Sequence, residues 1–188
     1  MIRSVCVFCG SAPGARPSYS RAAEEMGRAL AKAGLTLVYG GGKLGLMGIV
    51  ADAVLEAGGR VVGVIPRMLI ERECAHPKLT TQHVVTTMHE RKTLMADMSD
   101  AFIGLPGGMG TFDELVEIVT WAQLGLHAKP VILANIDSYF EPMYGMLDHA
   151  VREGFVTAES RARWRNADSI ESVVRILAKE GVTGDGIP

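Results

Sequence analysis

A glycine loop with a carboxylate just beyond it is the feature of this chain best suited to chemistry. The stretch reads Leu105, Pro106, Gly107, Gly108, Met109, Gly110, Thr111, Phe112, Asp113 and Glu114. An apolar segment at 100–105 predicts a buried strand before the loop, and apolar residues at helical spacing after it predict a helix. Helix-start N–H groups and the helix dipole attract anions, and glycine lets phosphate oxygens approach the backbone. The loop therefore predicts a site for a phosphorylated ligand, with Glu114 beside it.

A capping box is the alternative interpretation of the same residues. Thr111 and Glu114 have the S/T-x-x-E spacing that satisfies helix-start donors without any ligand. However, each ordered glycine costs about 0.5–1 kcal/mol relative to alanine, and a cap does not need three glycines within four residues. The glycine content favours a bound ligand.

A second glycine cluster, from Gly40 to Gly45, follows a predicted strand at 35–39 and precedes a predicted helix. It matches the G-x-G-x-x-G pattern of dinucleotide sites, but the acidic residue expected about 20 residues later is missing from the sequence. A P-loop also fails, because Leu44 stands where Ser or Thr should hold magnesium. The cluster predicts contact with a plain nucleoside phosphate, and Gly41 and Gly42 are candidate binding residues.

An arginine lies on the apolar side of a third predicted element. Thr87 and Glu90 predict a capping box at the start of a helix that runs to about residue 98. At about 100° per residue, Arg91 falls in the middle of the apolar stripe of this helix. A buried guanidinium needs a carboxylate, a ligand phosphate or a solvated cleft, and a structural salt bridge is the alternative to a role in binding.

Together these motifs resemble the paired signatures of the LOG ("Lonely guy") family. The two signatures are Met88-His89-Glu90-Arg91-Lys92 and, fifteen residues after Arg91, Pro106-Gly107-Gly108-Met109-Gly110-Thr111-Phe112-Asp113-Glu114. The resemblance covers nearly the whole chain and includes Val7-Phe8-Cys9-Gly10-Ser11, the Gly40 loop, Ile65-Pro66 and Thr120-Trp121-Ala122-Gln123-Leu124-Gly125.

The resemblance implies a cytokinin riboside 5′-monophosphate phosphoribohydrolase, which releases free base and ribose 5-phosphate from N6-modified AMP. Arg91 and Glu114 match the catalytic pair of the family. The substrate-binding positions that match are Gly107, Gly108, Met109, Gly110 and Thr111 around the phosphate and ribose, and Glu73, Lys92 and Thr120 further out. This chemistry requires neither a metal nor a cofactor. Such sequences are also described as possible lysine decarboxylases, but no pattern here indicates a pyridoxal-phosphate lysine.

Two other functional classes remain open. A non-catalytic carrier or sensor of a phosphorylated ligand would need the glycine loop and Arg91, but not the carboxylate of Glu114. A dinucleotide oxidoreductase is the third possibility. N6-prenylated and unmodified AMP are both candidate substrates of the enzyme.

Composition limits the partners of the protein. With 188 residues, 48% of them hydrophobic, the chain can build one core, and its net charge of -2 gives no reason to expect nucleic-acid binding. Alternating arginines at 161, 163 and 165 form either a binding strip or, as we favour, a solvated face or loop. The sequence has no signal segment and no apolar run of about 20 residues, which predicts a cytoplasmic protein that does not enter membranes.

Neither the cysteines nor the histidines are predicted to take part in catalysis or to bind a metal. Cys6 and Cys9 form C-x-x-C within a predicted strand, where their side chains point to opposite faces, so core packing is favoured over a redox or zinc role. The five histidines lack metal-ligand spacing. Two methionines, Met47 and Met109, are candidates to line an apolar pocket for the base.

Alternation of short apolar runs with helical patterns predicts the fold. Strands are expected at 3–9, 35–39, 60–65, 83–86, 100–105 and 130–134. The pattern predicts an α/β, Rossmann-like open parallel sheet with helices on both faces, in a single domain over residues 1–180 with a flexible tail at 181–188. The helix predicted at 111–124 is apolar nearly all round, which, with the family resemblance, predicts a homodimer.

Overall fold

One sheet of seven parallel strands organises the part of the chain that the structure, a computed structural model, describes: residues 1–70 and 74–183. The strands are β1 (Ser4–Phe8), β2 (Thr36–Tyr39), β3 (Val61–Pro66), β4 (Thr81–Val85), β5 (Ala101–Gly104), β6 (Val131–Ala134) and β7 (Trp164–Ala167). Their order across the sheet is β4-β3-β2-β1-β5-β6-β7. The chain builds outward from β1 on one side and restarts at β5 on the other, so the strand order reverses between these two. Open α/β sheets bind ligands at such a reversal, which here lies between the loops after β1 and β5.

Helices cover both faces of the sheet. They are α1 (Pro17–Lys32), α2 (Gly45–Glu56), α3 (Met88–Asp97), α4 (Met109–Gln123), α5 (Glu141–Arg152), α6 (Ala158–Ala162) and α7 (Ile170–Thr183), with short 3-10 helices at Arg67–Leu69 and Ile136–Ser138. Strand β1 shows how the layers form, because Val5 and Val7 pack in the core with α1, α2 and α7, whereas Cys6 and Phe8 pack in the core with α3, α4 and α5. A strand buried on both faces is apolar throughout, which explains the continuous hydrophobic runs in the sequence.

The predicted fold class is confirmed, and all six predicted strands occur with ends shifted by at most two residues. Cys6 and Cys9 are buried, free and on opposite faces, as predicted for core packing. Helix α7 continues to Thr183, so residues 181–183 are not the tail that the sequence predicted. The rest of that tail, 184–188, lies outside the described residues and stays a prediction.

The sequence did not predict β7, an edge strand that contains one of the three alternating arginines. The burial pattern of β7 does not alternate, because both of its ends are buried, and a strand of four residues gives little periodicity. All three arginines pair with carboxylates: Arg161 with Asp148 at 2.6 Å, Arg163 with Glu159 at 3.1 Å and Arg165 with Glu180. The binding strip that we considered is therefore replaced by partnered side chains around an edge strand.

The helices within residues 1–70 and 74–183 do not include one that is both long enough and apolar enough to cross a bilayer.

Candidate active site

The loop between β5 and α4 forms one wall of the candidate site. Helix α4 begins at Met109 with Gly108 as its N-cap, and no side chain caps it. Thr111 is therefore a buried residue inside the first turn, and the capping box considered for Thr111 and Glu114 is wrong. The first turn of α4 presents its backbone N–H groups without a capping side chain, which is the arrangement that binds anions.

A cavity of about 140 Å³ lies at the reversal of the strand order. It is lined by Cys9, Gly10, Ser11, Met47, Arg91, Gly108, Met109, Gly110, Thr111 and Glu114. The structure thus brings together both predicted catalytic residues and four of the predicted binding residues, at 108–111. Backbone donors, a guanidinium and a carboxylate share one small space.

Arg91 enters this cavity from helix α3. The predicted capping box is confirmed, since the backbone N–H of Glu90 donates to Thr87 Oγ1 at 3.1 Å and the Glu90 carboxylate accepts from the Thr87 N–H at 3.4 Å. Arg91 is only 4% exposed. Its Nε donates to the Val64 carbonyl oxygen at 3.2 Å and its Nη2 to the Gly40 carbonyl oxygen at 2.9 Å. Hydrogen bonds to two backbone carbonyls therefore fix the guanidinium at the cavity wall.

The second glycine cluster supports Arg91 and does not line this cavity. A Cβ added at Gly40 would lie 2.0 Å from Arg91 Nη2, so only glycine leaves room for the guanidinium. Gly41 and Gly42 are buried, and their carbonyl oxygens accept from the His76 backbone N–H at 2.9 Å and from the Tyr39 hydroxyl at 3.1 Å respectively. Their predicted contact with substrate stays a prediction.

The start of helix α2, after this cluster, has a partner within the protein. The backbone N–H groups of Leu46 and Met47 donate to the Gly10 carbonyl oxygen at 2.9 and 3.3 Å. This contact fixes the loop after β1 against α2. Because these N–H groups of α2 already have an acceptor, the helix start that is suited to binding an anion is that of α4.

Two other predicted binding residues, Lys92 and Thr120, do not line this cavity. Lys92 Nζ forms ion pairs with Glu117 at 2.9 Å and Asp113 at 3.1 Å, both on α4. Thr120 lies on the exposed side of α4, and its hydroxyl donates to the Val116 carbonyl oxygen at 2.7 Å. Glu73 lies outside the described residues.

The ion pairs of Lys92 tie α3 to α4, and so tie the helix of Arg91 to the helix of Glu114. Desolvation lowers the pKa of Lys92, but hydrogen bonds to Glu117 and Asp113 and the charges of these two residues outweigh it. The pKa of Lys92 therefore lies above its ordinary value, and the ammonium stays charged.

Sequence reasoning missed the contribution of the loop after β1. Gly10 and Ser11 line the cavity, and the signal that could have identified them is their place directly after the first predicted strand, in the motif Val7-Phe8-Cys9-Gly10-Ser11. Cys9 also lines it, but burial and then the negative charge of Glu114 raise the pKa of its thiol, so Cys9 stays neutral. Met47 and Met109 do line the cavity, as expected for a base pocket; Met47 is buried, whereas Met109 is 81% exposed.

Comparison with known proteins gives one family. The family model described as "Possible lysine decarboxylase" matches residues 47–177. Pyridoxal-phosphate chemistry needs a lysine at the site, and the residues that line the cavity in the described chain include none.

Two relatives carry a different name. The chain is 50% identical over 176 residues to the cytokinin riboside 5′-monophosphate phosphoribohydrolase of Rhodococcoides fascians, covering 93% of this chain and 89% of that one. It is also 50% identical over 159 residues to the cytokinin riboside 5′-monophosphate phosphoribohydrolase LOG of Oryza sativa subsp. japonica, covering 85% of this chain and 66% of the rice chain.

A solved structure agrees with the fold. The Moco carrier protein of Chlamydomonas reinhardtii superimposes with a TM-score of 0.73 over 97% of this chain and 99% of that chain, and at 20% identity this likeness concerns the fold alone. The family model spans more than half of the chain, and half of the aligned residues are identical in two curated relatives. The chain therefore belongs to the LOG ("Lonely guy") family of cytokinin riboside 5′-monophosphate phosphoribohydrolases.

Proposed function

We propose that this protein hydrolyses the N-glycosidic bond of adenosine 5′-monophosphates, with or without an N6 substituent, and releases free base and ribose 5-phosphate. The observation that carries the proposal is the shared cavity, where Glu114 and Arg91 face the uncapped start of α4. The names of the relatives from Rhodococcoides fascians and rice support the same reaction.

The 5′-phosphate binds at the start of α4 in this proposal. The backbone of Gly108 to Thr111 supplies N–H donors, and the helix dipole favours the negative charge. Holding the phosphate fixes the ribose relative to Glu114, one turn further along the helix, so binding energy at the phosphate orients the reacting carbon. Gly107 lines the adjoining cavity and is, like Glu73, Lys92, Thr120, Gly41 and Gly42, a proposed contact or support.

Glu114 acts on the reacting carbon. As the bond to the base breaks, positive charge develops on the sugar, and a carboxylate close to it stabilises this transition state. The same carboxylate can orient or deprotonate the water that attacks the anomeric carbon. A carrier would gain nothing from this group, which is why Glu114 favours the hydrolase over the carrier or sensor.

Arg91 contributes a fixed positive charge. Because two of its nitrogens are held by backbone carbonyls, the guanidinium keeps one position and can bind ligand oxygens without a loss of side-chain freedom.

The Gly40→Ala variant tests the support of Arg91. The new methyl group would overlap Arg91 Nη2 and displace the guanidinium. We expect kcat/KM to fall about a hundred-fold, since small displacements of catalytic groups have effects of this size. The matched control is Gly145→Ala on α5, where a Cβ meets nothing within 4 Å and activity should be unchanged. Equal activity in both variants would show that Arg91 tolerates displacement.

The substrate range tests the proposal as a whole. Purified protein is incubated with AMP, N6-isopentenyl-AMP and adenosine, and free base is measured by chromatography. Release from either nucleotide but not from adenosine supports a phosphate-dependent N-glycosidase and gives its base preference. Equal release from adenosine and AMP would contradict the role of the phosphate cradle.

A homodimer through α4 is part of the proposal. Val116, Thr120 and Leu124 follow one another at intervals of four along this helix, and Val116 and Leu124 are 47% and 68% exposed. Exposed apolar side chains that lie side by side in this way mark a surface on which another protein chain packs. A second subunit on this stripe also provides a way for Thr120, which lies away from the cavity of its own chain, to approach a substrate.

The Val116→Glu variant tests the dimer. Light scattering after gel filtration should give twice the mass of one chain for the wild type and the mass of one chain for Val116→Glu, because the interface would bury an unpaired charge. The control is Val84→Glu on the edge strand β4, where the valine has a similar exposure of 49% and the dimer should persist. A wild-type monomer would refute the interface.

The compartment is proposed to be the cytoplasm. Cys6 and Cys9 are buried free thiols, and three cysteines cannot all pair within one chain, which suits a reducing environment.

A further inference from the structure

The glycine loop has a hydrogen-bond partner outside the lining of the candidate active site. Tyr139, which follows the 3-10 helix Ile136–Ser138, donates a hydrogen bond from its hydroxyl to the Gly107 carbonyl oxygen. Its side chain lines an adjoining cavity of about 280 Å³, which shares Gly10, Ser11 and Gly108 with the candidate site but does not include Arg91 or Glu114.

This hydrogen bond determines where an amide N–H points. Gly107 C=O and Gly108 N–H belong to one planar trans peptide group, so the oxygen and the hydrogen point in opposite directions. With the oxygen directed at Tyr139, the Gly108 N–H is directed away from Tyr139, and Gly108 itself lines the candidate site. A rotation of this peptide would present the carbonyl oxygen, and its negative partial charge, to the ligand anion instead.

The two glycines of this peptide differ in their surroundings. A Cβ at Gly107 would lie 2.1 Å from Thr111 Oγ1, so Gly107 is closely packed, whereas a Cβ at Gly108 would meet no atom within 4 Å and Gly108 is exposed. The Gly108 carbonyl oxygen accepts from the Phe112 N–H at 3.0 Å, and the Tyr139 hydroxyl bonds the Gly107 carbonyl oxygen. Glycine also has the widest range of backbone conformations. The neighbouring Pro106 carbonyl oxygen accepts from the Gly10 N–H at 3.1 Å, which fixes the strand end but not the Gly107–Gly108 peptide.

Tyr139 itself is held firmly. Its ring stacks on Phe112 in the first turn of α4, with ring centroids 6.4 Å apart and planes 13° apart, and packs edge-on against Tyr19 at 5.6 Å. The turn before it contains Asp137 and Ser138, two non-glycine residues with φ of 50° and 60°. Left-handed backbone at such residues costs energy and persists only where the surroundings enforce it, often at functional sites.

Side chains enforce this turn. Asn135 Oδ1 accepts from the Phe140 backbone N–H at 2.7 Å, and the Asp137 carboxylate accepts from the Ser18 hydroxyl. The turn thus delivers the Tyr139 hydroxyl to a fixed position beside the loop.

We propose that Tyr139 is a positioning residue that aims the Gly108 N–H at the phosphate of the substrate. This inference rests on the proposed function for the identity of the ligand, but it concerns binding of the phosphate and not cleavage of the bond. Tyr139 touches neither the substrate nor the reacting atoms, and it acts through the Gly107–Gly108 peptide.

The Tyr139→Phe variant isolates the hydroxyl, because it keeps the aromatic packing and the cavity wall. Calorimetry should show the dissociation constants of AMP and of ribose 5-phosphate each rising about ten-fold, the size expected when one hydrogen bond to an anion is lost. Both ligands carry the phosphate, so the two increases should agree. In the activity assay, KM should rise while kcat changes much less, since Glu114 and Arg91 are untouched.

The matched control is Tyr144→Phe on α5. Tyr144 is 6% exposed and its hydroxyl donates to Asn166 Oδ1 at 3.2 Å, away from the candidate site. This variant also loses a partly buried, hydrogen-bonded tyrosine hydroxyl, and both dissociation constants should match those of the wild type. Thermal unfolding of both variants measures any general loss of stability.

Three results would overturn the inference: unchanged affinity for both ligands in Tyr139→Phe, an equal loss of affinity in Tyr144→Phe, or a fall in kcat with no change in affinity. Failure of the proposed function looks different. If the wild type binds AMP but never releases adenine, the hydrolase is refuted, while a selective loss of phosphate affinity in Tyr139→Phe still supports the role of Tyr139.

Discussion

Replacement of Glu114 by glutamine is expected to lower kcat on AMP by about a thousand-fold, the usual scale for loss of an acid–base group together with its charge in the transition state. Glutamine keeps the size of the side chain but can neither carry the negative charge nor accept a proton from water. Glu114 is partly buried and lines the cavity with Arg91. Because glutamine fills the same space there, the variant should fold normally and still bind the nucleotide. The measurement is single-turnover release of adenine, together with calorimetry for AMP.

A carboxylate far from the site provides the control for this prediction. Glu25 is exposed on helix α1, and Glu25→Gln should keep the wild-type kcat. Near wild-type turnover in Glu114→Gln would remove Glu114 from the chemistry and leave the mechanism without its base.

The second large effect is expected for Arg91→Lys, which keeps the charge but not the shape of the group. The guanidinium binds the Val64 and Gly40 carbonyls with two different nitrogens and still borders the cavity. A lysine ammonium is a single point that cannot make this set of contacts, so kcat/KM should fall about a hundred-fold. Steady-state kinetics with AMP measures this loss, and thermal unfolding reports the cost of the two unpaired carbonyls.

Arg28→Lys is the matched control, because Arg28 lies exposed on α1, outside the lining of the candidate site, and pairs with Glu24 four residues earlier. It should leave kcat/KM unchanged. If Arg91→Lys also keeps the wild-type value, then charge alone is sufficient, and the hydrogen bonds to the two carbonyls have no part in catalysis.

Local patterns predicted the features that depend on neighbours in sequence. The capping box of Thr87 and Glu90 and the burial of Arg91 follow from spacing along one helix, and both are found in the structure. The strands were predicted because β1, β3, β5 and β6 are apolar runs bounded by polar or glycine-rich segments. The seventh strand lacks this contrast and was missed.

Predictions from local spacing failed at the start of α4 and at two contacts with groups that are distant in sequence. Thr111 and Glu114 have the spacing of a capping box, but the helix starts earlier, at Met109, and leaves Thr111 within it. The cluster at Gly40 indicated a permissive backbone, yet the sequence did not reveal that the approaching group is a guanidinium 51 residues away. The hydrogen bond from Tyr139 to Gly107 spans 32 residues and has no signature in the motif itself.

The most direct test of the account is the product analysis of the wild-type protein with AMP, by chromatography over a time course. We predict free adenine and ribose 5-phosphate in equal amounts. Adenosine with inorganic phosphate would contradict the proposed reaction, and AMP recovered intact from a protein that binds it would identify a carrier of nucleotides and refute the hydrolase.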